Sequence, residues 1–153
     1  MSATISQISV NPAGGVPKLR VESARLGAER VEGDKQRFLK FHGGPQRAVC
    51  LFSTEIIEKL KSEGHPIAPG AAGENLTVSG LDWNEITPGV QLQIGEAVVE
   101  ITDYTTPCKT IIKAFENGNF MRISQLKHPG ESRLYAKVLV EAVVYEGDAV
   151  SVL

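Results

Sequence analysis

Val90-Gln91-Leu92-Gln93-Ile94-Gly95-Glu96-Ala97-Val98-Val99-Glu100-Ile101-Thr102 holds two strand signals and the turn between them. The runs 90–94 and 97–102 are rich in β-branched residues, which suit a pleated surface. Only Gly95 and Glu96 separate them. A two-residue hairpin loop with glycine first meets the positive φ that its first position demands. The stretch predicts an antiparallel hairpin, entered through a Pro88-Gly89 turn.

Similar signals lie on both sides. Strands are expected over 4–10, 19–24, 28–31, 47–52 and along the run 134–145, which Gly147-Asp148 turns into 149–153. Asn11-Pro12-Ala13-Gly14-Gly15-Val16-Pro17 and Gly33-Asp34 are turns. In Arg47-Ala48-Val49-Cys50-Leu51-Phe52 both faces are apolar. That predicts burial on both sides and an inert Cys50, because apolar surroundings raise a thiol's pKa. A helix is expected over 55–63, capped by Ser53 or Thr54, striped by Ile56, Ile57 and Leu60, and stopped by Gly64. Short helices are expected over 109–115 and 120–126. Many strands with two or three short helices predict a mainly β fold, a closed or nearly closed antiparallel β-barrel.

Composition excludes several classes. The 153 residues suit one domain, residues 1–153. A chain of this size buries about 70% of its unfolded surface and needs no staples. The net charge is −2 and basic residues form no run, so nucleic acid is not an expected partner. No apolar run approaches the roughly 20 residues that cross a bilayer, and no signal peptide is expected. Two cysteines, Cys50 and Cys108, do not make a secreted disulfide scaffold, so a reducing, cytoplasmic setting is the default.

The chemistry-bearing stretch is Thr105-Thr106-Pro107-Cys108-Lys109. Pro107 stiffens the backbone and keeps Thr106 out of helical conformation. Cys108 is expected where a loop becomes a helix. Free backbone N–H groups there, with Lys109 beside them, favour a thiolate. The alternative is a small side chain packed near a turn. Other candidates are Lys18 after its loop, the paired glycines Gly43 and Gly44, and Glu74-Asn75. The last two are poor strand formers at the head of a strand, so either solvent or a polar network must compensate. His42, His65 and His128 lack zinc spacing, and no phosphate-loop or dinucleotide glycine pattern is present. A thiolate suits a soft metal that arrives with its own organic ligand. A Cys108–His42 nucleophile pair is a further option.

Taken in order, four patches resemble the MOSC domain, named for the C-terminal domain of molybdenum cofactor sulfurase. They are Asn11 to Lys18, His42-Gly43-Gly44-Pro45-Gln46-Arg47-Ala48-Val49, Gly70-Ala71-Ala72-Gly73-Glu74-Asn75-Leu76-Thr77, and Pro107-Cys108. Ser132 to Val138 and Gly147 to Val150 fit as well. The resemblance implies a β-rich barrel, a molybdenum cofactor (molybdopterin), and Cys108 as metal ligand. It implies that His42, Gly43, Gly44, Glu74 and Asn75 border the pocket. Basic groups suit the cofactor's phosphate, and Lys18, Arg47 and Arg133 are the candidates. There is no room for the pyridoxal-phosphate desulfurase domain of full sulfurases, so that cofactor is not expected.

Three functions follow from the resemblance. The first is an oxidoreductase that removes oxygen from N-hydroxylated small molecules with an external electron donor. Tyr104, Thr105 and Thr106 would then surround the metal ligand. The second is a sulfur carrier holding a persulfide on Cys108, supplied by a cysteine desulfurase. The third is a non-catalytic module that stores or delivers the cofactor.

Overall fold

The structure, a computed structural model, describes residues 2–35 and 44–153. Among them the chain runs β1 (Ala3–Val10), β2 (Leu19–Val21), β3 (Ser23–Leu26), β4 (Val49–Ser53), α1 (Thr54–Ser62), β5 (Leu76–Ser79), β6 (Gln91–Ile94), β7 (Ala97–Tyr104), β8 (Leu134–Val140), β9 (Ala142–Tyr145) and β10 (Ala149–Val152). Short 3-10 turns fill several connections. No helix among the described residues is long and apolar enough to cross a membrane.

The Gly95-Glu96 hairpin forms, with Leu92 opposite Val99 and Ile94 opposite Ala97. Gly95 has φ 56°, and a Cβ there would stand 2.5 Å from the Asp148 carboxylate, so only glycine fits. From this hairpin the strand order runs β10–β6–β7–β8–β4–β5–β1, and β1 returns to β10. The result is a closed seven-stranded barrel. Closure works because β1 divides one edge: Ala3 and Thr4 face β10, while Ile8 to Val10 face β2. Inward residues such as Ile5, Leu92, Val99, Ile101, Leu134 and Val150 fill the interior.

Neighbours in the ring are antiparallel except β4 and β5, which run parallel. Parallel neighbours need a crossover, and α1 supplies it. Ser53 is the cap: its Oγ accepts the Ile56 N–H at 3.2 Å. Ile56, Ile57 and Leu60 are buried, as their spacing requires.

Two expected strand runs divide between sheets. The run from Leu19 switches at Glu22, so that β2 joins β1 while β3 pairs with β9. The run 134–145 breaks at Glu141 for the same reason. Residues 28–31 form no strand; Gly27 donates to the Arg30 carbonyl and a single bridge joins Leu26 to Val31. The expected helices near the thiol are 3-10 turns, Lys109–Ala114 and Phe120–Ile123. The first ends at Phe115, whose φ of −125° and ψ of 139° are extended, and Asn117, at φ 54°, and Gly118, at φ 66°, separate it from the second.

An ion-pair clasp ties this irregular segment to α1. Arg122 grips both Glu63 oxygens at 2.8 and 2.9 Å and reaches Glu131 at 3.1 Å. Lys59 meets the other Glu131 oxygen at 2.7 Å. His65 Nδ1 accepts the Glu116 N–H at 3.0 Å.

Candidate functional site

A cavity of about 380 Å³ lies where six separate segments meet. The β1–β2 connection supplies Gly14, Gly15, Val16 and Lys18. Its shape is set locally: Asn11 Oδ1 accepts the Ala13 N–H at 3.0 Å, and Gly14 and Gly15 both take positive φ. Lys18 N–H then bonds the Gly70 carbonyl at 3.0 Å, which docks this loop on the next one. At Gly70 a Cβ would stand 2.5 Å from the Lys18 carbonyl oxygen.

That second loop contributes Ala72, Gly73 and Asn75. Glu74 is fully buried behind it and does not line the cavity. One carboxylate oxygen accepts the Gly70 N–H and the Thr77 hydroxyl, each at 3.1 Å; the other has no partner among the described residues. Burial pushes this carboxyl up, against those two donors and the Arg133 charge. Asn75 is buried in a polar network. Its Oδ1 accepts the Cys50 N–H at 3.1 Å, and its Nδ2 donates to Ser9 O at 3.3 Å and Asp34 Oδ2 at 2.9 Å. A network, and not solvent, therefore compensates the two poor strand formers.

Asp34 joins the loops from below. Its Oδ2 accepts Lys18 Nζ at 2.6 Å, and its Oδ1 accepts the Asn11 N–H at 2.9 Å. Arg133 enters just before β8, is 6% exposed, and donates Nη1 to Ala72 O at 2.7 Å. Its Nε is buried and has no partner among the described residues. Tyr135 follows on the same wall, with the Arg47 guanidinium carbon 5.5 Å from its ring centroid. Burial pushes the Tyr135 phenol far up, and charge on Cys50 and Cys108 adds to this.

Both thiols are free and both line the cavity. Cys50 is buried, which pushes its thiol up, and its Sγ lies 3.8 Å from Thr105 Oγ1. The expected core cysteine is thus also part of the cavity wall. Cys108 is half-buried, with Thr110 Oγ1 2.9 Å from its sulfur. It precedes a six-residue 3-10 turn, so the dipole support expected from an α-helix is replaced by one short turn.

The structure therefore brings Lys18, Arg47, Asn75, Cys108 and Arg133 together around one space. Gly44, at φ 87°, opens the Pro45–Arg47 turn outside that space. His42 and Gly43, with the proposed Cys108–His42 pair, lie outside the described residues. Lys35, Tyr135 and Thr110 line the cavity without having been singled out. Lys35 follows a Gly-Asp turn and Tyr135 sits in a strand run, so neither stood apart from a surface lysine or a core aromatic.

Comparison with known proteins places this architecture. The chain is 35% identical to the uncharacterized protein YflK of Bacillus subtilis (strain 168) over 137 residues, covering 87% of this chain and 60% of YflK. It is 27% identical to protein YiiM of Escherichia coli (strain K12) over 127 residues, covering 78% of this chain and 57% of YiiM. The chain thus spans less than two thirds of the length of these relatives. YiiM from Geobacillus stearothermophilus shares the fold with TM-score 0.73 at 22% identity, over 99% of this chain and 75% of that one. The YuaD protein from Bacillus subtilis does so with TM-score 0.75 at 18% identity, over 98% and 94%. The family model described as MOSC domain matches residues 39–151, and the chain belongs to that family, which is associated with the molybdenum cofactor.

Proposed function

We propose that this MOSC-family chain binds a molybdenum–pterin cofactor in the cavity, with Cys108 as the metal's thiolate ligand. We further propose that it reduces N-hydroxylated small molecules with electrons from an external donor. One observation carries the reading: among the described residues, a free thiol and four basic side chains, Lys18, Lys35, Arg47 and Arg133, line the cavity and no carboxylate does. A thiolate is a soft ligand suited to such a metal, and guanidinium and ammonium groups suit a phosphate. Among the described residues the buried Arg133 Nε has no acceptor, which suits a ligand that brings one. Gly14, Gly15 and Gly73 keep side chains away from two stretches of the wall.

When bound, the cofactor supplies two-electron redox chemistry at its metal. The chain's residues do the rest. Ala72 O holds the Arg133 guanidinium in place, and the Thr110 hydroxyl stabilises the Cys108 sulfur. Tyr135, kept protonated by burial, adds a polar group and no charge to the wall.

The test is anaerobic purification with the cofactor supplied, followed by elemental analysis and turnover of an N-hydroxylated base with a chemical reductant. Wild type should carry molybdenum and turn over, and C108S should lose the metal. Metal-loaded protein without turnover would leave the storage module as the better reading. The half-buried, free Cys108 thiol also favours the sulfur-carrier reading. Persulfide on Cys108 after incubation with a cysteine desulfurase, in protein that takes up no molybdenum, would decide for it.

A further inference from the structure

The cavity wall is basic, yet a carboxylate stands directly behind it. The Asp34 side chain is 1% exposed and that of Lys18 is 13% exposed, and they meet at 2.6 Å. The same Asp34 oxygen takes the Asn75 amide at 2.9 Å, and its other oxygen takes the Asn11 N–H. Asp34 thus aims two side chains of the wall and cancels the charge of one. Lys18 is left facing the cavity as a hydrogen-bond donor within a neutral pair. Among the described residues, Lys35, Arg47 and Arg133 are the other cationic side chains on this wall.

We propose that Asp34 is the specificity-determining counter-ion of this cavity, setting its charge so that it admits neutral and anionic ligands and rejects cationic ones. The ligand class is a small molecule carrying a phosphate or carboxylate, or no charge. This deepens the reading of the site as a cofactor and substrate pocket, but its test requires neither metal nor turnover. Breaking the pair moves the charge by one unit in a known direction. D34N leaves Lys18 uncompensated and raises it; K18M leaves Asp34 uncompensated and lowers it. The double variant restores the wild-type count.

The Cys108 thiol serves as the probe in cofactor-free protein. Three methanethiosulfonates, bearing a sulfonate, no charge or a trimethylammonium group, are compared, each rate normalised to free cysteine. In each case the thiolate attacks the reagent's sulfenyl sulfur, forms a mixed disulfide and expels methanesulfinate. Peptide mass mapping separates Cys108 from Cys50. Wild type should favour the anionic over the cationic reagent. D34N should widen that ratio roughly two- to tenfold, the effect of one unit charge acting across a partly aqueous cavity. K18M should narrow it by a similar factor, and D34N/K18M should return it. Any change in the thiol's own reactivity acts on all three reagents alike, so the anionic and cationic rates should shift in opposite directions relative to the neutral one, which a purely structural role for Asp34 would not produce. Anionic-to-neutral and cationic-to-neutral ratios that stay unmoved in folded variants overturn the proposal. If D34N fails to fold, K18M decides: an unshifted ratio overturns it. Wild type that binds no molybdenum sinks the proposed function and leaves this measurement standing.

Discussion

Tyr135 on β8 stands directly opposite Cys50 on β4, and both residues line the cavity. Each is pushed toward its protonated form chiefly by burial. The wall they form is therefore polar but uncharged, between a half-buried thiol and a set of cations. In a spectrophotometric titration, Tyr135 should give no tyrosinate signal before the protein unfolds in alkali. The folded-state titration curve of Y135F should match that of wild type. A tyrosinate signal present in folded wild type and absent in Y135F would contradict this.

Glu74 should make the fold less stable as pH rises. Its folded pKa lies above its unfolded value, so the native state holds its proton longer. Stability from this group is full below the ordinary carboxylate range and declines as pH climbs through the raised value. Urea melts from acid to mildly alkaline pH should show that decline in wild type and a flatter profile in E74Q. E74A, which strands the Gly70 N–H and the Thr77 hydroxyl and leaves a void, should cost about 2–4 kcal/mol.

Gly70 should tolerate no side chain. It combines φ 85° with a Cβ position 2.5 Å from a backbone oxygen. G70A should cost about 2–4 kcal/mol and disturb the Lys18 loop. Gly89 has φ 97° but open space around it, so G89A should cost only about 1–2 kcal/mol. Thermal melts of the two variants separate steric clash from backbone strain.

The clasp around Arg122 should govern acid stability. The Arg122 guanidinium holds the Glu63 carboxyl below its usual range. At Glu131 burial works the other way, but Lys59 and Arg122 together outweigh it. For lowered carboxyls, stability is present above the unfolded pKa and lost as pH falls through the folded one. Melting temperature should therefore drop on acidification in wild type and drop less in R122M, which starts lower at neutral pH.

The barrel was legible because its signals are local. A Gly95-first hairpin and the Ser53-capped helix are written in a few adjacent residues, and both form. The parallel β4–β5 pair was not, since nothing in residues 49–53 or 76–79 states the direction of a neighbour. Cys108, Lys18, Arg47, Asn75 and Arg133 could be named from the resemblance. Cys50 was read as core because strand alternation reports burial and does not distinguish packed hydrocarbon from a cavity wall. Asp34 looked like a turn residue; its meaning lies in Lys18, 16 residues away, and Asn75, 41 residues away. The helix expected after Cys108 is a 3-10 turn that ends at an extended Phe115, a difference in hydrogen-bond spacing that apolar periodicity does not report.

Lys18, Cys50, Gly73, Cys108 and Arg133 come from five stretches far apart along the chain, and none faces the same space until the ring has shut. A half-assembled barrel therefore has no place for a guest. Whatever settles there favours the finished molecule over every incomplete one, by mass action. Occupancy of the cavity then becomes a gauge of how much of the population has completed its architecture.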